Sequence, residues 1–252
     1  MQRAMKRFAA LACALLCGAA QADTQVLRFY GYAHDQASGK YLYTEVYRED
    51  VQDGRWVGGY TKYYDPDGSP LGEKTLSFAS DRYIPVYTLD LPGAGYLEGI
   101  SKVTATGVDM VKQTREHGHQ TATTPRTEPM AADAGFHSFL YDHMPELLAG
   151  QTVKFRFVVA GQLDSYGFRA HKIGEVQFEG KPAVQFKIEP DSLLRLLVDP
   201  LVLTYDPQSR RLLEYRGIAN VMNPLTGKPY NARIDYYSKP PDDAPKNLPP
   251  LD

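Results

Sequence analysis

Hydrophobic and polar positions in this chain alternate far more often than they recur at helical spacing. Val153, Phe155, Phe157 and Val159 interleave with Lys154, Arg156 and Val158, a period of two that predicts a strand with one apolar face. Tyr41, Tyr43, Glu45 and Tyr47 interleave with Leu42, Thr44 and Val46 in the same way. With residues 25–34 before it and the turn cluster 35–39 between, that run reads as a hairpin. Residues 54–64 and 70–79 read as a second hairpin around Asp65-Pro66-Asp67-Gly68, where Pro suits a fixed φ and Gly a positive one. Strand-like runs continue at 83–91, 96–111, 166–172, 175–178, 183–188, 201–205, 211–219 and 230–237.

Three segments break this rhythm. Residues 116–129 are polar with two prolines and no period, and are expected to form an exposed loop. That loop divides the chain roughly in half, either as a domain boundary or as an insertion between two halves of one sheet. Residues 133–149 carry the helical signal. Phe136, Phe139 and Leu140 recur at helical spacing, Asp133 is placed to cap, Pro145 interrupts and Gly150 stops the run. Two short helices meeting near 142–145 are expected, and a third over 192–198 after Asp191. The tail 239–252 holds five prolines and is expected to be disordered or extended.

Strands joined by short links pair antiparallel. The expected fold is therefore mainly β with some α: a strongly curved antiparallel sheet or half-barrel. Two or three short helices pack on its concave face, where their apolar stripe can be buried. The expected organisation is one β-rich domain over 23–238, followed by the tail.

The amino-terminal residues change where this domain is expected to work. Arg3, Lys6 and Arg7 precede an uncharged run over 8–19, and Ala20-Gln21-Ala22 supplies the small-x-small pattern of a signal-peptidase site. The apolar run is shorter than the roughly 20 residues a stable span requires. The expectation is a signal peptide over 1–22 cleaved after Ala22 and a periplasmic product, with an uncleaved anchor as the alternative. A lipoprotein signal fits less well, since Leu16 precedes Cys17. Cys13 and Cys17 both lie in this segment, so the remaining chain has no thiol for disulfides or zinc. Removing 1–22 takes away three basic residues and no acidic one, moving the net charge from −2 to −5. That disfavours nucleic acid as a partner. No second long apolar run predicts a transmembrane helix.

Candidate chemistry is sparse. Asp133 and His137 are four apart and would share a helix face, a carboxylate orienting an imidazole as a general base requires. With Asp142 and His143 nearby, this is the candidate region for a hydrolase. Ser138 points about 100° away from His137, and the competing reading is a helix cap with packing histidines. Glu116, His117 and His119 could contribute to a metal site if a further ligand arrived from elsewhere; a solvated loop is the competing reading. The glycines of 93–99 and the Thr226-Gly227-Lys228 run lack the spacing of nucleotide loops, and Asp65-Pro66-Asp67-Gly68 is a turn rather than a calcium loop. No cofactor is expected.

The segment 201–217 (Leu-Val-Leu-Thr-Tyr-Asp-Pro-Gln-Ser-Arg-Arg-Leu-Leu-Glu-Tyr-Arg-Gly) resembles in style the strand–turn–strand units of the lipoprotein-carrier half-barrels of the LolA and LolB type. The resemblance covers mainly 152–237 and carries no diagnostic motif, so no functional residue is transferred. It implies a hydrophobic cavity for acyl chains or another apolar ligand. On that reading Phe136, Phe139, Leu140, Phe155, Phe157 and Phe168 would line the cavity. The function expected is non-catalytic binding of an apolar or lipid-like molecule, with a hydrolase and a cell-envelope interaction protein as alternatives.

Overall fold

A computed structural model describes residues 23–193, 199–224 and 226–251. The first half of the chain forms β1 (Thr24–Asp35), β2 (Tyr41–Gln52), β3 (Arg55–Tyr64), β4 (Pro70–Ser77), β5 (Val86–Leu91), β6 (Tyr96–Val103), β7 (Gly107–Thr114) and β8 (Gly118–Pro125). A short β9 (Met130–Ala132) leads into helices α1 (Gly135–Asp142) and α2 (Met144–Leu148). The second half forms β10 (Val153–Val159), β11 (Asp164–Phe178), β12 (Lys181–Pro190), β13 (Leu201–Tyr205), β14 (Leu212–Met222) and β15 (Pro229–Tyr236).

All fifteen strands join one sheet, in the order β8-β7-β6-β5-β4-β3-β2-β1-β15-β14-β13-β12-β11-β10-β9. Every neighbouring pair is antiparallel except β9 with β10. The described chain therefore starts and finishes at the centre of the sheet, where β1 pairs with β15, and its midpoint crosses from edge strand β8 to edge strand β9. Near those edges, Thr124 Oγ1 on β8 lies 2.9 Å from Ser165 Oγ on β11.

The loop expected over 116–129 is instead mostly strand. Residues 118–125 pair with β7 from Gly107↔Pro125 to Thr114↔Gly118. This run had no apolar alternation to reveal it, because almost all of its side chains are exposed; β-branched threonines and ladder hydrogen bonds carry the pairing. Similarly, the run 96–111 is two strands turned at 104–106, and 166–178 is one strand with a bulge near Lys172–Gly174. The two short helices lie where the pattern placed them. The helix expected over 192–198 falls almost wholly outside the described residues, as does the segment 1–22. Asp133 does not cap α1: its φ of 41° sets it outside the helix, and Ala134 takes the cap position.

Inward-facing side chains form two adjoining cores. One gathers Phe29, Tyr43, Tyr63, Leu89, Ile100, Met110 and Ile234 from both arms of the sheet. The other sets Phe136, Phe139, Leu140, Met144 and Leu147 of the helices against Phe155, Ala170, Phe186, Leu203 and Tyr205. The register places Phe186, Leu203, Tyr215, Ile234 and Ala33 side by side across β12 to β1, so the helices cover the same sheet face as the first core. On the opposite face the tail lies along β1. Tyr30 Oη donates to the Pro249 carbonyl at 2.6 Å, and His34 Nε2 lies 3.2 Å from Asp243 Oδ1.

Candidate functional site

Strand alternation and register together bring a row of side chains across the inner face. Phe29 (β1) neighbours Tyr47 (β2), then follow Thr61 (β3), Lys74 (β4), Leu89 (β5) and Glu98 (β6). All six border a cavity of about 1380 Å³, as do Glu45 and Asp133. The far wall of the cavity includes Phe136, Phe155, Phe157 and Phe168. The hollow thus has a polar, tyrosine-rich wall from the first half of the chain and an aromatic wall from the second.

The polar wall is a connected cluster. Lys74 Nζ donates to Asp133 Oδ1 at 2.8 Å and Oδ2 at 3.1 Å, with both side chains buried. The left-handed backbone at Asp133, between β9 and α1, is what turns its carboxylate away from the helix toward β4. Tyr47 Oη donates to Glu45 Oε2 at 2.8 Å, and Glu98 accepts from both Tyr87 and Tyr96. Glycines make room for the two glutamates. A Cβ at Gly31 would stand 2.8 Å from Glu45 Oε2, and one at Gly161 would stand 2.2 Å from Glu98 Oε2.

Burial dominates the protonation of this cluster. It pushes the Glu45 carboxyl up to about 7, against the hydrogen bond from Tyr47 and the nearby Lys74 charge. Burial likewise raises Glu98, opposed by its bond from Tyr96, and raises Glu49 to about 7, opposed by Arg211. Burial also works against the Lys74 ammonium, but the adjacent Asp133 carboxylate, with Tyr63 and Glu45, outweighs it and holds the ammonium above its ordinary value. Two buried hydroxyls of this region, Thr61 Oγ1 and Tyr43 Oη, have no hydrogen-bond partner.

Of the aromatic residues expected to line a cavity, Phe136, Phe155, Phe157 and Phe168 do so. Phe139 and Leu140 do not. They are fully buried behind that wall, Phe139 against Tyr83, Phe155 and His143. A helical stripe reports a buried face but not whether that face meets other side chains or open space.

The candidate catalytic residues are dispersed. Asp133 pairs with Lys74, and His137 Nδ1 lies 3.0 Å from Tyr205 Oη with the two rings stacked. His143 packs on the Phe139 ring. Burial holds the His137 imidazole down to about 4, in its neutral form at ordinary pH. Asp142 accepts from Arg82 and Tyr83. His117 and His119 are exposed on the turn and first residues of β8, with Glu116 3.6 Å from His117. Among the described residues no group of three or more His, Cys, Asp or Glu is placed to hold a metal.

Sequence reasoning missed Glu45, Thr61, Lys74 and Glu98. Glu45 did carry a signal, since it shares the inward phase of Tyr43 and Tyr47. The other three lie in alternating runs whose inward face had no mark to identify it.

The architecture defines the class: a mainly β protein built on one large, curved, open sheet with a lined hollow. No known protein family and no curated protein matches the chain. Among solved structures it is similar to a β-barrel-like protein of the domain of unknown function DUF1849 from Brucella abortus. That likeness has 10% identity and a TM-score of 0.36, and covers 83% of this chain and 96% of that one. No link to the LolA and LolB carriers emerges from these comparisons. Among the described residues no helix is long and apolar enough to cross a membrane.

Proposed function

We propose that this protein is a non-catalytic binding protein for an apolar or lipid-like molecule, held in the hollow of a half-barrel and working in the periplasm after export. One observation carries the reading: a cavity of about 1380 Å³ bordered on one side by Phe136, Phe155, Phe157 and Phe168. A volume of that order exceeds what most small-molecule sites offer, and a mostly apolar wall with a few placed polar groups is the usual composition of such sites. The dispersal of Asp133, His137 and His143 among three different partners favours binding over hydrolysis, because a general base needs its orienting carboxylate within hydrogen-bond reach.

The test uses N-phenyl-1-naphthylamine, a neutral fluorescent probe of apolar sites. Wild-type protein should enhance its emission saturably. Phe157→Glu places a charge on the aromatic wall at a half-buried position and should weaken the probe by about tenfold or more while the circular dichroism spectrum is kept. No saturable enhancement with the wild type, or no loss with Phe157→Glu, would overturn the reading. Export is tested separately: the protein recovered from a periplasmic extract should begin at Asp23.

A further inference from the structure

We propose that the polar end of the occupant is a cation, an organic ammonium seated among Glu45, Glu98 and Asp133, so that the hollow selects amine-bearing amphiphiles over acids and alcohols of equal chain length. The proposal rests on the reading of the hollow as an amphiphile site and names the head group it takes.

The cluster has more acceptors than donors. Three carboxyl groups, Glu45, Asp133 and Glu98, share one ammonium, Lys74, and Lys74 is committed to Asp133 at 2.8 Å. Asp133 and Lys74 each lie close enough to bias both glutamates. The remaining donors are tyrosine hydroxyls, Tyr47 to Glu45 and Tyr87 and Tyr96 to Glu98. A hydroxyl satisfies a lone pair but leaves the negative charge uncompensated. A buried carboxylate without a counter-charge takes up a proton instead. An incoming ammonium offers three donors and a full positive charge, and replaces those protons.

Independent features show space reserved for such a group. Thr61, between Tyr47 and Lys74 in the row, borders the hollow, is only 1% exposed, and has an Oγ1 with no hydrogen-bond partner. The backbone at Gly31 and at Gly161 packs directly against the Glu45 and Glu98 carboxylates, which fixes where they stand in the hollow. The rings of Tyr47, Tyr87, Tyr96, Tyr215 and Tyr236 border the same space, and an aromatic lining favours a cation. The groups facing Glu45 are Tyr41, Tyr43 and Tyr47 on its own strand, Tyr63 on β3, Lys74 on β4, Tyr215 on β14, Tyr236 on β15 and Asp133; those facing Glu98 are Tyr96, Tyr87, Asp133 and Lys74. None of them other than Lys74 is a cation. Other cations border the cavity, among them Arg55, Lys112, Arg115, Arg211 and Lys228, but none of these is among the groups that bias Glu45 or Glu98.

The experiment displaces N-phenyl-1-naphthylamine from the full chain with dodecylammonium, dodecanol and dodecanoate. Dodecylammonium should displace the probe at about tenfold lower concentration than dodecanol, with dodecanoate weakest. Glu98→Gln and Glu45→Gln, each near-isosteric, should cut that preference to within about threefold while still binding the probe. In the wild type, dodecylammonium should bind more tightly as pH rises from about 6 to about 8, because the glutamates must give up their protons to receive it; dodecanoate should not. The pH arm needs no variant, so it decides even if a substitution prevents folding. Equal or tighter binding of dodecanoate or dodecanol, or a dodecylammonium affinity that does not rise with pH, overturns the ammonium assignment while leaving the hollow as an amphiphile site. Failure of the probe and all three ligands to bind overturns both readings.

Discussion

The two walls of the hollow are built by the same rule and end in different chemistry. Both are inner faces of strands in one sheet, and both are buried. On β10 to β13 the inward positions are Phe155, which borders the hollow, and Ala170, Phe186, Leu203 and Tyr205, which pack against the two helices behind it. On β2 to β6 they are Tyr47, Thr61, Lys74, Leu89 and Glu98, and all five border the cavity. The first wall is stabilised by apolar area removed from water and by ring-on-ring contact. The second holds one buried ion pair, Lys74 with Asp133, and two glutamates whose donors are tyrosine hydroxyls. Alternation decides which side chains are buried, whereas the identity of a few inward residues decides whether the buried space is core or site.

If that division is right, damage to the two walls should differ in size and in pH response. Phe139 is fully buried among Tyr83, Phe155 and His143, with ring centroids 4.3 to 5.5 Å away. Phe139→Ala should cost about 4 kcal/mol, from lost transfer energy plus a cavity the helices cannot close. Urea denaturation measures it, and the loss should be the same at pH values of about 5 and 8.

Lys74→Met should cost about 3 kcal/mol. It removes the cation paired with Asp133, whose side chain is 9% exposed, and leaves that carboxylate beside Glu45 and Glu98. The variant should recover stability as pH falls, because Asp133 can then be neutralised by a proton. A pH-independent loss would mean that Lys74 contributes by packing alone, and the distinction between the walls would fail.

The sequence made the packed wall legible and left the polar one obscure, for a physical reason. Phe155 and Phe157 stand in a clean alternation, and Phe136, Phe139 and Leu140 in a helical one, so burial could be read from period. The helix pair at 135–148 followed from the same pattern with Pro145 and Gly150. Lys74 and Glu98 looked like ordinary solvent-facing residues, since charged side chains usually are. Only the register across five strands shows that they point inward beside Asp133, and register depends on pairings no local window contains. Asp133 was misread as a cap for the same reason: its role depends on Lys74, 59 positions away. The edge strand β8 was hidden because its one inward face offers only Ala122 and Thr124, too short and too polar a stretch to read as an apolar period.

The glutamates of the polar wall predict a third, smaller effect. Glu45 and Glu49 titrate near 7 in the folded chain against 4.5 as the ordinary value, and Glu98 is raised in the same direction, in each case chiefly by burial. Between about pH 4.5 and 7 the folded state therefore holds protons that the unfolded chain has released. Stability from these groups is present at the low end of that window and is lost as pH rises through the folded value. His137 works the other way: held down to about 4, it lets the unfolded chain bind the extra proton below its ordinary value of 6.5, so its contribution falls as pH drops. Burial lowers His171 in the same direction, but three carboxyls outweigh the two imidazoles, and the protein should gain roughly 2 kcal/mol on going from about pH 7.5 to about pH 5. Glu45→Gln should flatten that slope. A wild type most stable above pH 7 would show that the carboxyls are ionised and compensated in the folded chain.

The smallest effect isolates burial from pairing. Arg82 donates from Nε and Nη2 to Asp142 at 2.5 and 2.6 Å, and Tyr83 adds a bond to the same carboxylate at 2.8 Å. The Arg82 hydrogen bonds hold the Asp142 carboxyl below its ordinary range. In geometry this pair is better than Lys74 with Asp133, for it is forked and two-pronged. Yet its side chains are 31% and 28% exposed, against 6% and 9% for the inner pair. Water and salt screen it, so Arg82→Ala should cost only about 1 kcal/mol, and less at high ionic strength. Arg82→Lys should recover part of that loss, because a lysine keeps the charge but not the fork. If Arg82→Ala were as damaging as Lys74→Met, pairing geometry rather than enclosure would set the scale, and the inner cluster would have no claim to a special role. A threefold gap between them, with only the inner variant sensitive to pH, is what a charged wall facing an enclosed hollow requires.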